Sequence, residues 1–162
     1  MFKPDEDGVF AEVQASAGRR FLACGVVYTL GFLLIYVALA DPPALHLLIL
    51  VLGLGIGSLI LADVLRRATK SKILMTAEAI ITSDGLVLAR MDDIINVDRG
   101  AFAFKPSNGF TLKVKAKQSR GWAPGLWWRF GRYVGVGGAV SAGQSKFMAE
   151  QIALRVAARD GS

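Results

Sequence analysis

The sequence predicts a membrane protein of the α+β class: a two-helix transmembrane hairpin, then a small antiparallel β domain with a C-terminal capping helix. Two long uncharged segments lie near the start of the chain. Short alternating segments separated by turn residues follow them. We therefore expect a cytoplasmic tail at residues 1–20, the hairpin at residues 21–65, and a basic cytoplasmic domain at residues 66–162.

The two apolar segments have the length of membrane-spanning helices. Residues 21–40 contain twenty residues without a charge, and residues 44–62 contain nineteen more. An α-helix rises about 1.5 Å per residue, so each segment covers roughly 28–30 Å, the thickness of a bilayer core. Asp41-Pro42-Pro43 cannot continue a helix. The sequence thus predicts helices at residues 21–40 and 44–65.

The flanking charges predict the orientation of this hairpin. Lys and Arg collect on the cytoplasmic side of membrane proteins. The turn at residues 41–43 contains neither, whereas six of them flank the two helices: Arg19, Arg20, Arg66, Arg67, Lys70 and Lys72. Both termini are therefore expected in the cytoplasm. Ala38-Leu39-Ala40 has the form of a signal-peptidase site, but the apolar segment before it is longer than a usual signal core.

Two features within the hairpin predict specific contacts. Gly53 and Gly57 are four residues apart on one helix face and would allow another helix to approach closely. We favour packing against the first helix of the same hairpin over contact with another chain, because a hairpin must first pack internally. Asp63 is expected to form an ion pair with Arg66 and Arg67 at the helix end.

Alternation and turn residues predict six strands after the hairpin, at residues 77–82, 86–90, 94–97, 102–105, 110–116 and 129–136. Ser83-Asp84-Gly85 and Pro106-Ser107-Asn108-Gly109 are the predicted turns. In the fifth strand, Phe110, Leu112, Val114 and Ala116 share one face, and Lys113, Lys115 and Lys117 share the other. A loop rich in Gly and Trp is expected next. In the N-terminal tail, residues 9–17 could form two helical turns at the membrane surface or be disordered.

A final amphipathic helix closes the predicted domain. Ser141 and Gln144 have the spacing of a capping box. Met148, Ile152 and Val156 recur at four-residue spacing and form an apolar stripe. This stripe predicts a helix that covers the open end of the β structure.

Two segments carry a resemblance to a known family: AEAIITSDGLVLARMDDIINVDRGAFAF and SKFMAEQIALRVA. They resemble the bacterial pleckstrin-homology-like family, in particular its small membrane proteins with a transmembrane pair before such a domain. The similar part covers roughly residues 73–158. The resemblance implies a split, partly open β-barrel capped by the helix, and mostly non-catalytic roles in membrane binding, assembly or protein contact. No binding residue of that family has a matching motif here.

Composition argues against several classes of chemistry. Cys24 is the only cysteine, so neither an internal disulfide nor a Cys-based zinc site can form. His46 is the only histidine, and the chain has no phosphate-binding Gly-Lys-Ser/Thr loop and no nucleophile elbow. We therefore expect no enzyme activity, no cofactor and no metal.

The most informative stretch for function is basic and aromatic. Residues 99–149 contain nine Lys or Arg and no Asp or Glu, and three Trp and one Tyr interleave in RGWAPGLWWRFGRY. This composition is typical of surfaces that meet lipid headgroups. The candidate lipid or partner surface comprises Lys113, Lys115, Lys117, Arg120, Trp122, Trp127, Trp128, Arg129 and Arg132.

Other interpretations of this stretch remain open. The lysines could be the solvated face of a strand while the tryptophans fill a small core. Surfaces that bind nucleic acids have a similar composition of cations and aromatic residues. No nucleic-acid recognition motif is present, however, and we expect no nucleic-acid partner. The sequence thus predicts a non-catalytic accessory or assembly protein of the bacterial inner membrane that serves a larger membrane complex. Alternatives are an autonomous module that binds anionic lipid, and a small subunit of a transporter or respiratory assembly.

Overall fold

The computed structural model describes residues 5–99 and 106–161, which fall into two compact units. One unit is Ala17–Arg67, and the other combines Met1–Ser16 with Ala68–Ser162. We call them the helical unit and the β unit. The predicted strand at residues 102–105 lies outside the described residues.

The helical unit consists of two helices of equal length. α1 covers Ala17–Ala40 and α2 covers Leu45–Ala68, each with 24 residues. Both are long and apolar enough to cross a membrane, by length and composition. The prediction of two long apolar helices is confirmed, and both extend beyond their predicted cytoplasmic ends. Asp63 pairs with Arg66 at 2.7 Å and with Arg67 at 2.6 Å, as expected.

Close packing between the two helices occurs at Gly31 and Gly55. A Cβ atom at Gly31 would lie 2.7 Å from Leu59 Cδ2, and one at Gly55 would lie 2.7 Å from Ile35 Cγ1. Gly53 and Gly57 are exposed, and a Cβ atom at either position would meet nothing within 4 Å. The expectation that these two glycines pack against the first helix is therefore wrong. Their contact with another chain stays a prediction.

The first sheet of the β unit includes a strand from the N-terminal tail. β1 (Ala11–Val13), β2 (Ile73–Met75), β3 (Ala79–Thr82) and β4 (Val87–Arg90) pair antiparallel in that order. Ala11 and Val13 point into the core on either side of Glu12, which is the two-residue period of a strand. Both alternatives expected for residues 9–17, helical turns at the membrane surface and disorder, are therefore wrong at β1.

Pairing of β1 with β2 makes the helical unit an insertion between two neighbouring strands. Residues 14–16 connect β1 to α1, and residues 69–72 connect α2 to β2. The first connection is hydrogen-bonded within the β unit, since the Ser16 amide donates to the Ala139 carbonyl at 2.8 Å. In the second connection, the Lys72 amide donates to Ser83 Oγ at 3.1 Å. Both connections are thus held by the β unit itself.

The second sheet contains the strands that form the candidate surface. β5 (Ile94–Asp98), β6 (Phe110–Ala123) and β7 (Trp127–Val136) pair antiparallel in that order. The predicted Gly- and Trp-rich loop is instead the end of a β-hairpin. Its turn has Pro124 followed by Gly125 at φ +77°, and the Leu126 amide donates to the Ala123 carbonyl at 3.1 Å. These are the features of a type II turn.

Both predicted tight turns are confirmed. Gly85 has φ +87°, and its amide donates to the Thr82 carbonyl at 2.9 Å. Asn108 has φ +56° between Pro106 and Gly109. Positive φ favours Gly and Asn, which explains why the sequence signal was reliable.

The C-terminal helix α3 (Ala142–Asp160) joins the two sheets around one core. Met148 and Ile152 are buried and Val156 is partly buried, which confirms the apolar stripe. The capping box is wrong: Ser141 makes no side-chain cap, and Gln144 Oε1 instead accepts from the Gln14 amide at 3.2 Å.

Two arginines of α3 attach this helix to both sheets. Arg155 Nη1 donates to the Thr76 carbonyl at 3.1 Å, and burial lowers the pKa of this guanidinium. Arg159 Nη2 donates to the Ile94 carbonyl at 2.8 Å. The architecture of two antiparallel sheets with a closing helix is compatible with the predicted α+β class.

Candidate docking surface

The hairpin of β6 and β7 is divided by an interruption in its ladder. Lys113 faces Tyr133 and the next pair is Gln118 with Gly131, so β6 advances five residues while β7 advances two. Gly131 has φ +59°, as expected at a bulge. The residues between Lys113 and Gln118 leave the regular pairing. We call residues 118–131 the distal hairpin.

The distal hairpin is packed against the β unit through its turn. Leu126 is fully buried, and its carbonyl accepts from the Gly137 amide at 2.9 Å. The Gly125 carbonyl accepts from the Ala139 amide at 2.9 Å. A Cβ atom at Gly138 would lie 2.8 Å from the Gly125 Cα, so the two backbone segments approach as closely as glycine allows.

Strand alternation gives the distal hairpin an inner and an outer face. The cross-strand pairs are Gly121 with Arg129, Trp122 with Trp128, and Ala123 with Trp127. Because successive side chains point to opposite faces, the residue pairs separate into two sets. The inner face carries Gly121, Ala123, Trp127 and Arg129, and the outer face carries Arg120, Trp122, Trp128 and Phe130.

The inner face holds a buried arginine. Arg129 is only 8% exposed and donates from Nε to the Ser119 carbonyl and from Nη2 to Ser119 Oγ, both at 2.7 Å. Its Nη1 donates to the Val87 carbonyl of β4 at 2.9 Å. A buried cation needs such partners: the two bonds to Ser119 join the two strands of the distal hairpin, and the bond to Val87 connects the hairpin to the first sheet.

Trp127 is also 8% exposed and belongs to the core. Its ring lies against Gly121, where a Cβ atom would be 2.9 Å from Cη2, and the Arg129 guanidinium carbon lies 5.9 Å from the ring centroid. The assignment of Trp127 and Arg129 to the exposed surface is therefore wrong. Both residues are structural because the hairpin register turns them inward.

Two aromatic rings stand exposed on the outer face. Trp122 is 65% exposed and Phe130 is 58% exposed. The Arg120 guanidinium lies over the Phe130 ring, 4.9 Å from its centroid. Trp128 is half-buried because its indole covers Gly135, where a Cβ atom would be 2.2 Å from Nε1. A shallow groove of about 420 Å³ is lined by Arg120, Gly121, Trp122, Trp128, Arg129 and Phe130.

Sequence reasoning missed Phe130 and Tyr133 as members of this surface. Tyr133 is 47% exposed and lies opposite Lys113 in the ladder. The available signal was the alternation in WWRFGRY, in which Trp128 and Phe130 are two residues apart. Phe130 and Tyr133 lie in the strand predicted at residues 129–136, but that strand was begun after Trp128 because the preceding Gly and Pro indicate a loop.

Exposed cations accompany the rings along both strands. Lys113, Lys115, Lys117, Arg120 and Arg132 are all exposed, and neither strand contains Asp or Glu. No ion pair joins these five side chains to any residue within 5–99 or 106–161. The predicted exposure of the three lysines is confirmed, whereas Ala116, expected to face inward, is exposed.

We define the outer surface as the exposed or half-buried basic and aromatic side chains of β6 and β7: Lys113, Lys115, Lys117, Arg120, Trp122, Trp128, Phe130, Arg132 and Tyr133. Rigid rings with an apolar body suit the boundary between water and an apolar phase, and cations beside them suit phosphate or carboxylate partners. No group of three or more potential metal ligands was found among the described His, Cys, Asp and Glu residues. The outer surface is the candidate site that these side chains form.

Comparison with family models, curated proteins and solved structures gave no match. Membership of the bacterial pleckstrin-homology-like family stays a prediction.

Proposed function

We propose that the protein is a non-catalytic accessory protein of the bacterial inner membrane that presents its β unit to a larger membrane complex. In this proposal α1 and α2 span the membrane, and both termini and the β unit lie in the cytoplasm. The cations that flank the two helices, and their absence from the turn at residues 41–43, support this orientation.

The observation that carries the proposal is the outer surface. Trp122 and Phe130 expose large rings to solvent next to Arg120, whereas the other large apolar side chains of the second sheet, except Ile95 and Tyr133, are buried or half-buried. Trp, Tyr and Arg are the residues that contribute most to binding at protein interfaces. A surface with these residues on a rigid hairpin is suited to docking.

Chain connectivity supports a location at the membrane surface. Both ends of the helical unit enter neighbouring strands of one sheet through residues 14–16 and 69–72. At roughly 3.3–3.6 Å per residue, even fully extended connections of this length reach only about 10–14 Å. The β unit is therefore joined to the proposed membrane helices by two short connections and not by one long linker.

The β unit is also the part of the chain with a proposed family relationship. Two antiparallel sheets closed by α3 are the elements that a split, partly open pleckstrin-homology-like barrel requires. We propose this fold relationship, and with it the mostly non-catalytic roles that the resemblance implies.

Purification from gently solubilised membranes, followed by native mass spectrometry, tests the proposed function. We expect a stoichiometric membrane-protein partner that is lost when Trp122 and Phe130 are both replaced by Ala. Leu154→Ala is a matched control, because Leu154 is a large exposed side chain on α3 outside the outer surface. An unmodified protein that always elutes without a partner contradicts the proposal.

The topology has an independent test. A reporter fused after Ser162 should be active only as a cytoplasmic fusion, and a cysteine replacing Pro42 should react with an impermeant reagent added from outside. An exported C-terminus would contradict the proposed orientation.

A further inference from the structure

The outer surface has the charge and shape of a lipid-docking face. We propose that it docks on the anionic phospholipid leaflet in which the helical unit is anchored, with Trp122 and Phe130 at the level of the headgroups and the cations facing phosphates. This inference rests on the proposed membrane anchoring and deepens the proposed function, because docking on the leaflet would fix the orientation in which the β unit is presented to the complex.

Charge complementarity selects an extended anionic partner. The five exposed cations of β6 and β7 have the same sign, they form no ion pairs within the described residues, and neither strand supplies an acidic side chain. A protein partner would need a matching acidic patch, whereas an anionic leaflet presents negative charge everywhere. Each Lys or Arg that reaches such a leaflet strengthens the association about fivefold.

The aromatic side chains provide the apolar part of the contact. Trp122 and Phe130 lie on the same face of the distal hairpin, on neighbouring strands. Trp128 remains fixed against Gly135 and supports the floor of the groove beside them. Amphipathic rings are enriched at membrane interfaces because their bodies are apolar while their edges can remain near water. The Arg120 guanidinium stacks on the Phe130 ring, so this cation would reach the headgroups together with the ring.

Tethering makes a weak contact sufficient. The connections at residues 14–16 and 69–72 are short, so docking on the same leaflet is an intramolecular event with a high effective concentration. Attraction to the leaflet acts only within a Debye length of about 8 Å at physiological ionic strength.

Tryptophan fluorescence of the full-length protein can test the proposal, because all three tryptophans lie in the hairpin of β6 and β7. The protein is reconstituted in nanodiscs whose lipids carry bromine on the acyl chain near the headgroup. Discs of phosphatidylglycerol and phosphatidylcholine are compared with discs of phosphatidylcholine alone. We expect quenching that requires the anionic lipid, disappears near 1 M salt, and is largely lost in Trp122→Phe.

Charge variants measure the electrostatic part of the contact. Lys115→Gln together with Lys117→Gln should lower the docking constant by up to about 25-fold, at roughly fivefold per cation. Arg90→Gln together with Lys146→Gln removes the same charge from exposed positions outside the outer surface and should change it little. Equal effects of the two double variants would contradict the assigned surface.

The outcomes separate this inference from the proposed function. Incorporation into nanodiscs with no quenching at low salt overturns lipid docking and leaves membrane anchoring intact. Equal quenching in discs of phosphatidylcholine alone overturns the requirement for anionic lipid. A protein that fails to incorporate into any disc contradicts the membrane anchoring itself.

Discussion

The two faces of the distal hairpin contain the same types of residue in opposite environments. Trp127 and Arg129 are buried on the inner face, whereas Trp122 and Arg120 are exposed on the outer face. Each face also pairs an arginine with an aromatic ring: Arg129 with Trp127 inside, and Arg120 with Phe130 outside. In this region the residue type therefore does not show whether a side chain is buried or exposed. The strand register determines which face each side chain occupies.

The difference between the faces is one of hydrogen bonding and solvent. Arg129 is shielded from solvent and donates hydrogen bonds to three protein acceptors, two on Ser119 and one on Val87. Arg120 keeps its water and its charge is available to a partner. The first arrangement stabilises the fold, and the second leaves a functional group on the surface.

The largest expected difference separates two tryptophans. Trp127→Ala should lower the free energy of unfolding of the β unit by about 3–5 kcal/mol, because it removes a buried ring and leaves a cavity. Trp122→Ala should change it by less than about 0.5 kcal/mol, because the ring is exposed. Denaturant unfolding of the full-length protein, followed by circular dichroism, measures both. Similar losses would mean that both rings are part of the core.

The two arginines provide the next comparison. Arg129→Met should destabilise the β unit by about 2–4 kcal/mol, since it leaves the Ser119 and Val87 acceptors without their charged donor. Arg120→Met should have almost no effect on the same measurement. A stable Arg129→Met variant would show that the link between the distal hairpin and β4 is dispensable.

A third comparison tests how Trp128 is held at the edge of the outer surface. Gly135→Ala would place a Cβ atom 2.2 Å from the indole nitrogen, so the ring must move and we expect a loss of about 1–3 kcal/mol. The ring should also become more exposed, with a red shift of fluorescence. Gly143→Ala in α3 meets nothing within 4 Å and should be neutral or slightly stabilising. An unshifted emission spectrum for Gly135→Ala would contradict this packing.

The smallest expected effect is in the helical unit, where Gly55 is in close contact with the other helix and Gly53 is exposed. Gly55→Ala should cost about 1 kcal/mol in hairpin stability, because Ile35 must shift to admit the methyl group. Gly53→Ala meets open space and should leave the isolated hairpin unchanged. Thermal unfolding in detergent micelles compares the two. Loss of stability in Gly53→Ala alone would indicate a contact with a second chain.

The parts of the fold that were predictable have long or repeated signals. Two uncharged segments of helical length determined α1 and α2, and the four-residue repeat of Met148 and Ile152 determined α3. The strand β1 was missed because it has three residues and its partner β2 lies beyond the helical unit. A contact that distant in sequence leaves no local pattern.

The candidate site was only partly predictable for a different reason. The exposure of Lys113 and Lys115 was predictable because they flank the buried Val114, and Lys117 is exposed as well, although Ala116 before it is exposed and the ladder is interrupted there. The distal hairpin was missed because Gly121, Pro124 and Gly125 indicate a loop, although they serve a tight turn and the packing of Trp127. Without the register, Trp122 and Trp127 could not be distinguished.

Insertion of the helical unit between β1 and β2 also sets the order of biogenesis. During translation β1 leaves the ribosome first, and β2 follows only after both apolar helices have been synthesised. At about 5–20 residues per second, β1 remains unpaired for seconds while α1 and α2 are synthesised. The first sheet can therefore be completed only after that interval, so maturation of the β unit is timed by synthesis of the helical unit.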